Sequence, residues 1–183
     1  DWSSDVCSSD LNIARTLAAL DWAPRIVIID SGSTDHTREL IAAHPQAEVI
    51  ERPFDTHAQQ WNYGLSQIER GWVLSLDADY LISPALVQEI AAAVRAAQGS
   101  ETTGFRIPFR YCIQGRPLRG TILPPRIALF QAGAGYYHDD GHTQDLILKG
   151  RCGDLQQPIL HDDRKPLSRW LWAQNRYLRL EAD

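Results

Sequence analysis

The stretch "GWVLSLDADY" (71–80) places Trp72, Val73, Leu74 and Leu76 directly before two carboxylates, Asp77 and Asp79. A short, almost wholly apolar run with a β-branched member reads as a buried strand of a parallel sheet. "RIVIID" (25–30) repeats the arrangement, an apolar strand running into Asp30. Ligands of open parallel sheets gather outside the carboxyl ends of the strands. Both acidic strand ends therefore predict one common location for Asp30, Asp77 and Asp79. Residues i and i+2 of extended chain share a face, which would turn Asp77 and Asp79 toward a single ligand. Two hard oxygen donors, with no Cys or His beside them, suit Mg²⁺ or Mn²⁺ rather than zinc. Mg²⁺ commonly joins one or two carboxylates to substrate phosphates, so a strand-end Asp-Ala-Asp points to a metal-bridged diphosphate. An isolated Asp-Ala-Asp is more often a solvated turn; the apolar strand before it and the second acidic strand end reverse that reading.

Outward from this stretch, strands alternate with helices. Leu11, Ile13, Ala14, Leu17, Ala18 and Leu20 recur at helical spacing over 11–21. "SGSTDHT" follows the strand at 25–30 as a loop whose Ser, Thr and Asp can cap a helix at about 35–44, which Pro45 stops. "AEVIE" (47–51) reads as a strand, 57–70 as a helix and 72–76 as a strand. Ser83 and Pro84 open a helix that Gly99 ends. This alternation predicts an α/β fold with a mostly parallel sheet flanked by helices. After residue 100 the pattern changes: "GFRIPFRYCI", "RIALFQ" and "DLILKG" read as strands, with a Gly/Pro-bearing turn at 114–125 and a helix at 166–181. The chain reads as one domain over 11–165, with a basic amphipathic helix over 166–183. Residues 1–10, rich in Ser and Asp, read as a foreign segment, such as translated adapter sequence, or a disordered tail. A sheet of this kind normally opens with a strand before its first helix, and that strand reads as missing or replaced here.

The 183 residues, 44% hydrophobic and 22% charged, suit a single globular domain with a real core. The net charge of -5 argues against general nucleic-acid binding, which needs a basic face. Cys7, Cys112 and Cys152 are odd in number and widely spaced, which predicts free thiols and a reducing, cytoplasmic setting. No apolar run approaches the ~18 residues of a membrane span.

Several segments together resemble a known family. "NIARTLAAL" (12–20), "IVIIDSGSTDHT" (26–37), "QQWNYG" (59–64), "WVLSLDADY" (72–80) and "ILHDDRKPLSRWLWAQNRYL" (159–178) are similar to the inverting family 2 glycosyltransferases of GT-A fold, lipopolysaccharide-core branch. The resemblance covers roughly residues 12–180. It implies a nucleotide-sugar donor, a UDP-sugar first, and a glycan or lipid-linked acceptor. Asp30 would contact the nucleotide base, with Ser31, Gly32, Ser33 and Asp35 in the adjoining turn. Gln60 and Asn62 would border the donor from their helix, unless they are simply its polar face. Asp77 would lie near ribose and metal, and Asp79 would be the principal metal ligand. The Asn–Glu–Glu usual before the Asn-Ile pair is replaced by "CSSDLNI". The Glu usual after Asp-Ala-Asp is replaced by Tyr80, which can pack or stack but supplies no carboxylate.

An inverting transfer needs a base for the acceptor hydroxyl. "YYHDDGHTQD" (136–145) holds the candidates: Asp140 first, then Asp139 and His142; the alternative is a solvated loop. His161 is a candidate third metal ligand, or a structural histidine. The closing "RKPLSRWLWAQNRYLRLEAD" interleaves arginines with Trp and Leu, which fits peripheral contact with an anionic membrane surface or a helix packed on the sheet with its arginines reaching out. Two other readings stay open: a nucleotidyltransferase-like enzyme, and an inactive fragment of a glycosyltransferase.

Overall fold

The computed structural model describes residues 10–120, 124–140 and 143–164, with Ser168 and Trp172. The apolar runs of the first half fold close to where their periodicity puts them. In order they are α1 (Asp10–Ala18), β1 (Ile26–Asp30), α2 (Thr37–Ala42), β2 (Ala47–Glu51), α3 (His57–Ser66), β3 (Trp72–Leu74), β4 (Tyr80–Leu81) and α4 (Pro84–Ala96). The cap predicted at Ser83 forms, and Thr56, which the sequence reading did not single out, caps α3, whereas the N-cap of α2 is His36, with no side-chain cap bond. The Ser83 hydroxyl accepts from the Leu86 N–H at 3.1 Å, with Pro84 opening α4, and the Thr56 hydroxyl accepts from the Gln59 N–H at 3.3 Å. Helix α3 closes at Ser66 rather than near 70, because the Gln67 and Ile68 N–H groups bond back to Gly64 and Leu65 in a tightened last turn.

The second half is β-rich: β5 (Thr102–Ile107), β6 (Phe109–Ile113), β7 (Arg116–Pro117), β8 (Arg126–Gln131), β9 (Gly135–Asp140), β10 (Thr143–Leu148), β11 (Arg151–Asp154) and β12 (Ile159–His161). "GFRIPFRYCI" is two strands in two sheets. Pro108 has no N–H to give a ladder, and the chain crosses there from β5 to β6 while the Pro108 carbonyl accepts from Ile159. The segment 136–145 is no open loop but most of an antiparallel hairpin, with Tyr137 opposite Leu146, both buried. The helix predicted at 166–181 lies outside the described residues except for Ser168 and Trp172, which are helical.

The expectation of a mostly parallel sheet is corrected. Pairs β1–β2, β5–β11 and β6–β12 are parallel, whereas β3–β8, β5–β8, β4–β12, β6–β7 and β9–β10 are antiparallel. A parallel return needs a crossover of a dozen residues or more, usually helical. The first half supplies such helices; among the described residues, β5 to β12 are joined without any. The main core lies between α4 and the sheet β11–β5–β8–β3, where Leu86, Ile107, Leu129 and Ile159 are fully buried. A second cluster seats α3 on Phe130, Tyr137 and Leu146, and a third seats α1 on Ile41 and the inner side of β1.

Candidate functional site

Strand β3 ends at Leu74, and one further ladder bond, from the Ser75 N–H to Ala128, carries it toward Asp77. There the chain turns. The Tyr80 N–H donates to the Asp77 carbonyl at 3.1 Å, so Asp77 to Tyr80 form a turn rather than the extended segment assumed from strand alternation. Ala78 is drawn into the cluster beneath α1, and its carbonyl accepts from the Thr16 hydroxyl at 2.7 Å. This pins the middle of the turn and leaves the carboxylates on either side of it.

The Asp79 Oδ2 atom meets His161 Nε2 at 3.1 Å. The ring of His161 stacks on Tyr111 at 4.3 Å and meets Tyr80 edge-on at 5.1 Å. Burial works to lower the pKa of His161, but the hydrogen bond to Asp79 and the charges of Asp79, Asp77 and Asp163 outweigh it, and the net shift is upward. Among the described residues, Asp79 Oδ1 and His161 Nδ1 are buried with no hydrogen-bond partner. Asp77 is raised by burial and then by the neighbouring Asp79, against a hydrogen bond from the Tyr80 hydroxyl. Its surface is nonetheless exposed. Tyr80, where a carboxylate was expected by resemblance, is buried between His161 and Phe109.

The loop after β1 is organised by Asp30, which is 5% exposed. Its Oδ1 accepts from the Ser33 N–H at 3.0 Å and the Ser33 hydroxyl at 2.6 Å, and its Oδ2 accepts from Arg38 Nε at 2.9 Å. Arg38 also pairs with Glu51 at 2.8 Å. Between Asp30 and Ser33 stands Gly32 with φ +93°, a backbone that other residues rarely adopt. Asp35 accepts from the Thr37 N–H at 3.1 Å and so opens α2.

The first turns of α3 hold the loop after β1 and the β9–β10 hairpin. His57 acts on the charge of Asp77, while Gln60 donates to the Ser31 hydroxyl at 2.9 Å and accepts from Arg52 at 2.6 Å. Asn62 exchanges two 2.8 Å bonds with the Tyr137 backbone and docks β9 on α3. Asp139 accepts from the Thr56 hydroxyl at 2.9 Å and the Ala58 N–H at 3.0 Å, at the start of the same helix. Asp140 stands opposite Thr143 in the hairpin, and His142 lies outside the described residues.

Sequence reading passed over Asp162. It is 1% exposed, accepts from Arg15 and Arg164 at 3.0 Å each and from the Gly115 N–H at 2.8 Å, and its own N–H donates to the Asp79 carbonyl. Arg15 and Asp162 stand 147 positions apart, and their chain spacing carries no signal of the pairing.

Among the described residues no three His, Cys, Asp or Glu side chains converge closely enough to hold a metal ion. The donor chemistry still suits a hard divalent cation. Asp79 has a buried oxygen without a partner, Asp77 is open beside it, and Mg²⁺ or Mn²⁺ takes its other ligands from phosphate and water.

Comparison with known proteins follows the same lines. The family described as Glycosyl transferase family 2 matches residues 10–143. The lipopolysaccharide core biosynthesis glycosyltransferase LpsC of Rhizobium meliloti (strain 1021) is 26% identical over 179 residues, covering 93% of this chain and 66% of that protein. The fold is similar to S. aureus TarS solved with UDP-GlcNAc, with a TM-score of 0.62, 14% identity, and coverage of 87% of this chain and 57% of the other. TarS without ligand gives 0.61, 13%, 85% and 58%. The chain thus spans roughly three-fifths of the solved structures and just under two thirds of LpsC. With its family match across most of its length, the chain belongs to glycosyl transferase family 2.

Proposed function

We propose that the chain transfers a sugar from a nucleotide-sugar donor, a UDP-sugar first, to a hydroxyl of a glycan or lipid-linked acceptor, with inversion. One observation carries the reading. In the turn after β3, Asp79 is held on one oxygen by His161 and keeps the other buried and, among the described residues, unpartnered, beside the open carboxylate of Asp77. Helix α3 reaches the loop at 31–35 through Gln60, which donates to the Ser31 hydroxyl. The name of LpsC and the UDP-GlcNAc complex of TarS support the acceptor and donor classes.

Asp79 and Asp77 would hold Mg²⁺ or Mn²⁺, which supplies charge neutralisation for a leaving diphosphate. His161 orients Asp79, and Tyr111 and Tyr80 fix the imidazole plane. Asp30 shapes the base-side loop through Ser33 and Arg38 rather than offering a free oxygen. The bonds of Asp139 to Thr56 and Ala58 favour Asp140 as the group that takes the acceptor proton. The free thiols of Cys112 and Cys152 support a cytoplasmic setting.

The test is release of UDP from a panel of UDP-sugars with a hydroxyl acceptor and Mn²⁺. Asp140→Asn should cut kcat by roughly 10²–10⁴-fold while UDP still binds. Unchanged turnover in that variant removes Asp140 from the role, and absence of turnover with every nucleotide-sugar donor removes the reaction.

A further inference from the structure

Residues 102–138 contain five arginines and no Asp or Glu, in a chain whose net charge is -5. Three of them, Arg110, Arg116 and Arg119, fall on the hairpin β6–β7 and its exit, are exposed, and form no ion pair among the described residues. Every residue from Ile113 to Gly120 is exposed. Two of these are large and apolar: Ile113 at 48% and Leu118 at 42%. Cross-strand register groups them. Ile113 stands opposite Arg116, and the Leu118 N–H continues the ladder to the Tyr111 carbonyl, so Tyr111, Ile113, Arg116 and Leu118 share one face. Arg110 and Arg119 lie on the other face and, with Gln156, line a cavity of about 120 Å³, room for a phosphate-sized anion.

The hairpin is rigidly held. Gly115, at φ +80°, donates its N–H to the buried Asp162, and Tyr111 stacks on His161. It therefore stands at a set position beside Asp79.

We propose that this hairpin is a docking surface for an anionic lipid bilayer, with Ile113 and Leu118 entering the interface, Arg116 beside them on the headgroup phosphates, and Arg110 and Arg119 adding positive charge from the hairpin's other face. Charge complementarity selects the occupant, since each arginine near an anionic surface adds favourable energy of about the same size. The exposed apolar pair selects a bilayer over a soluble polyanion, because only a bilayer removes that surface from water. The inference goes beyond the proposed transfer reaction and does not depend on it.

The experiment is co-sedimentation of the whole chain with vesicles of phosphatidylcholine, with and without phosphatidylglycerol. Binding is expected only with phosphatidylglycerol. The double variant Arg116→Glu/Arg119→Glu should lower it by about tenfold or more, and Ile113→Ser/Leu118→Ser should lower it several-fold even in high salt. UDP binding and melting temperature, measured alongside, should stay at wild-type values, which keeps loss of docking apart from loss of folding or of the donor site. The proposal is overturned if the wild type fails to sediment with anionic vesicles. It is equally overturned if both hairpin variants bind as the wild type does while Arg176→Glu/Arg179→Glu does not. Heparin binding that matches the lipid binding, with no effect of Ile113→Ser/Leu118→Ser on either, would mean a polyanion site instead.

Discussion

Asp30 accepts three hydrogen bonds, and its titration follows from them. Burial is the largest influence on its carboxyl and pushes its pKa up, but the two bonds from Ser33 and the bond and charge of Arg38 prevail, so the net shift is down. A carboxyl lowered in the folded state contributes stability that is complete above its unfolded value, near 4, and is lost as pH falls through the lower folded value. Asp30→Asn should therefore flatten the acid limb of a stability–pH curve relative to wild type, and cost about 2 kcal/mol at neutral pH. Chemical denaturation from neutral pH to pH 3 measures both; an acid limb identical to wild type would mean that Asp30 is not what that limb reports. Asp162 is a second case. Removing it by Asp162→Ala leaves Arg15 and Arg164 facing each other and should cost about 3 kcal/mol, read as a lowered denaturation midpoint. A cost under about 1 kcal/mol would place its ion pairs with ordinary surface pairs.

Among the elements, α3 carries the most consequence. Asp139 holds its first turn and Asn62 its middle, and both bonds run to the β9–β10 hairpin. Asn62→Ala and Asp139→Ala should each cost about 1–3 kcal/mol. Their combined effect should fall short of the sum, because both variants release the same hairpin. Strict additivity in the double-mutant cycle would mean that the two docks act separately. The elements also show what was legible. Apart from β4, the helices and strands up to Ala96 follow local periodicity and caps, so their order could be read directly. Strands β4, β7 and β12 have two or three residues each, too few for any pattern. The break at Pro108 and the hairpin at 135–148 depend on partners far along the chain. The strand direction that β3 adopts was invisible for the same reason: its neighbour β8 lies more than fifty positions away.

At the scale of the whole molecule, the carboxylate edge was legible and its assembly was not. "IIDSGSTD" and "LDAD" mark two acidic strand ends, and the family match covers both. That Asp79 would be gripped by a histidine 82 positions later, or that Tyr80 would pack against that histidine and Phe109, is a property of packing between the two halves. The central claim is that this edge binds a nucleotide diphosphate through a divalent cation. Thermal unfolding with UDP, with and without Mn²⁺, tests it most directly, since a ligand that binds only the folded state raises its melting temperature. The account predicts a UDP-dependent rise that requires Mn²⁺ and disappears in Asp79→Asn; a rise of the same size without Mn²⁺, or one that Asp79→Asn leaves unchanged, would contradict it.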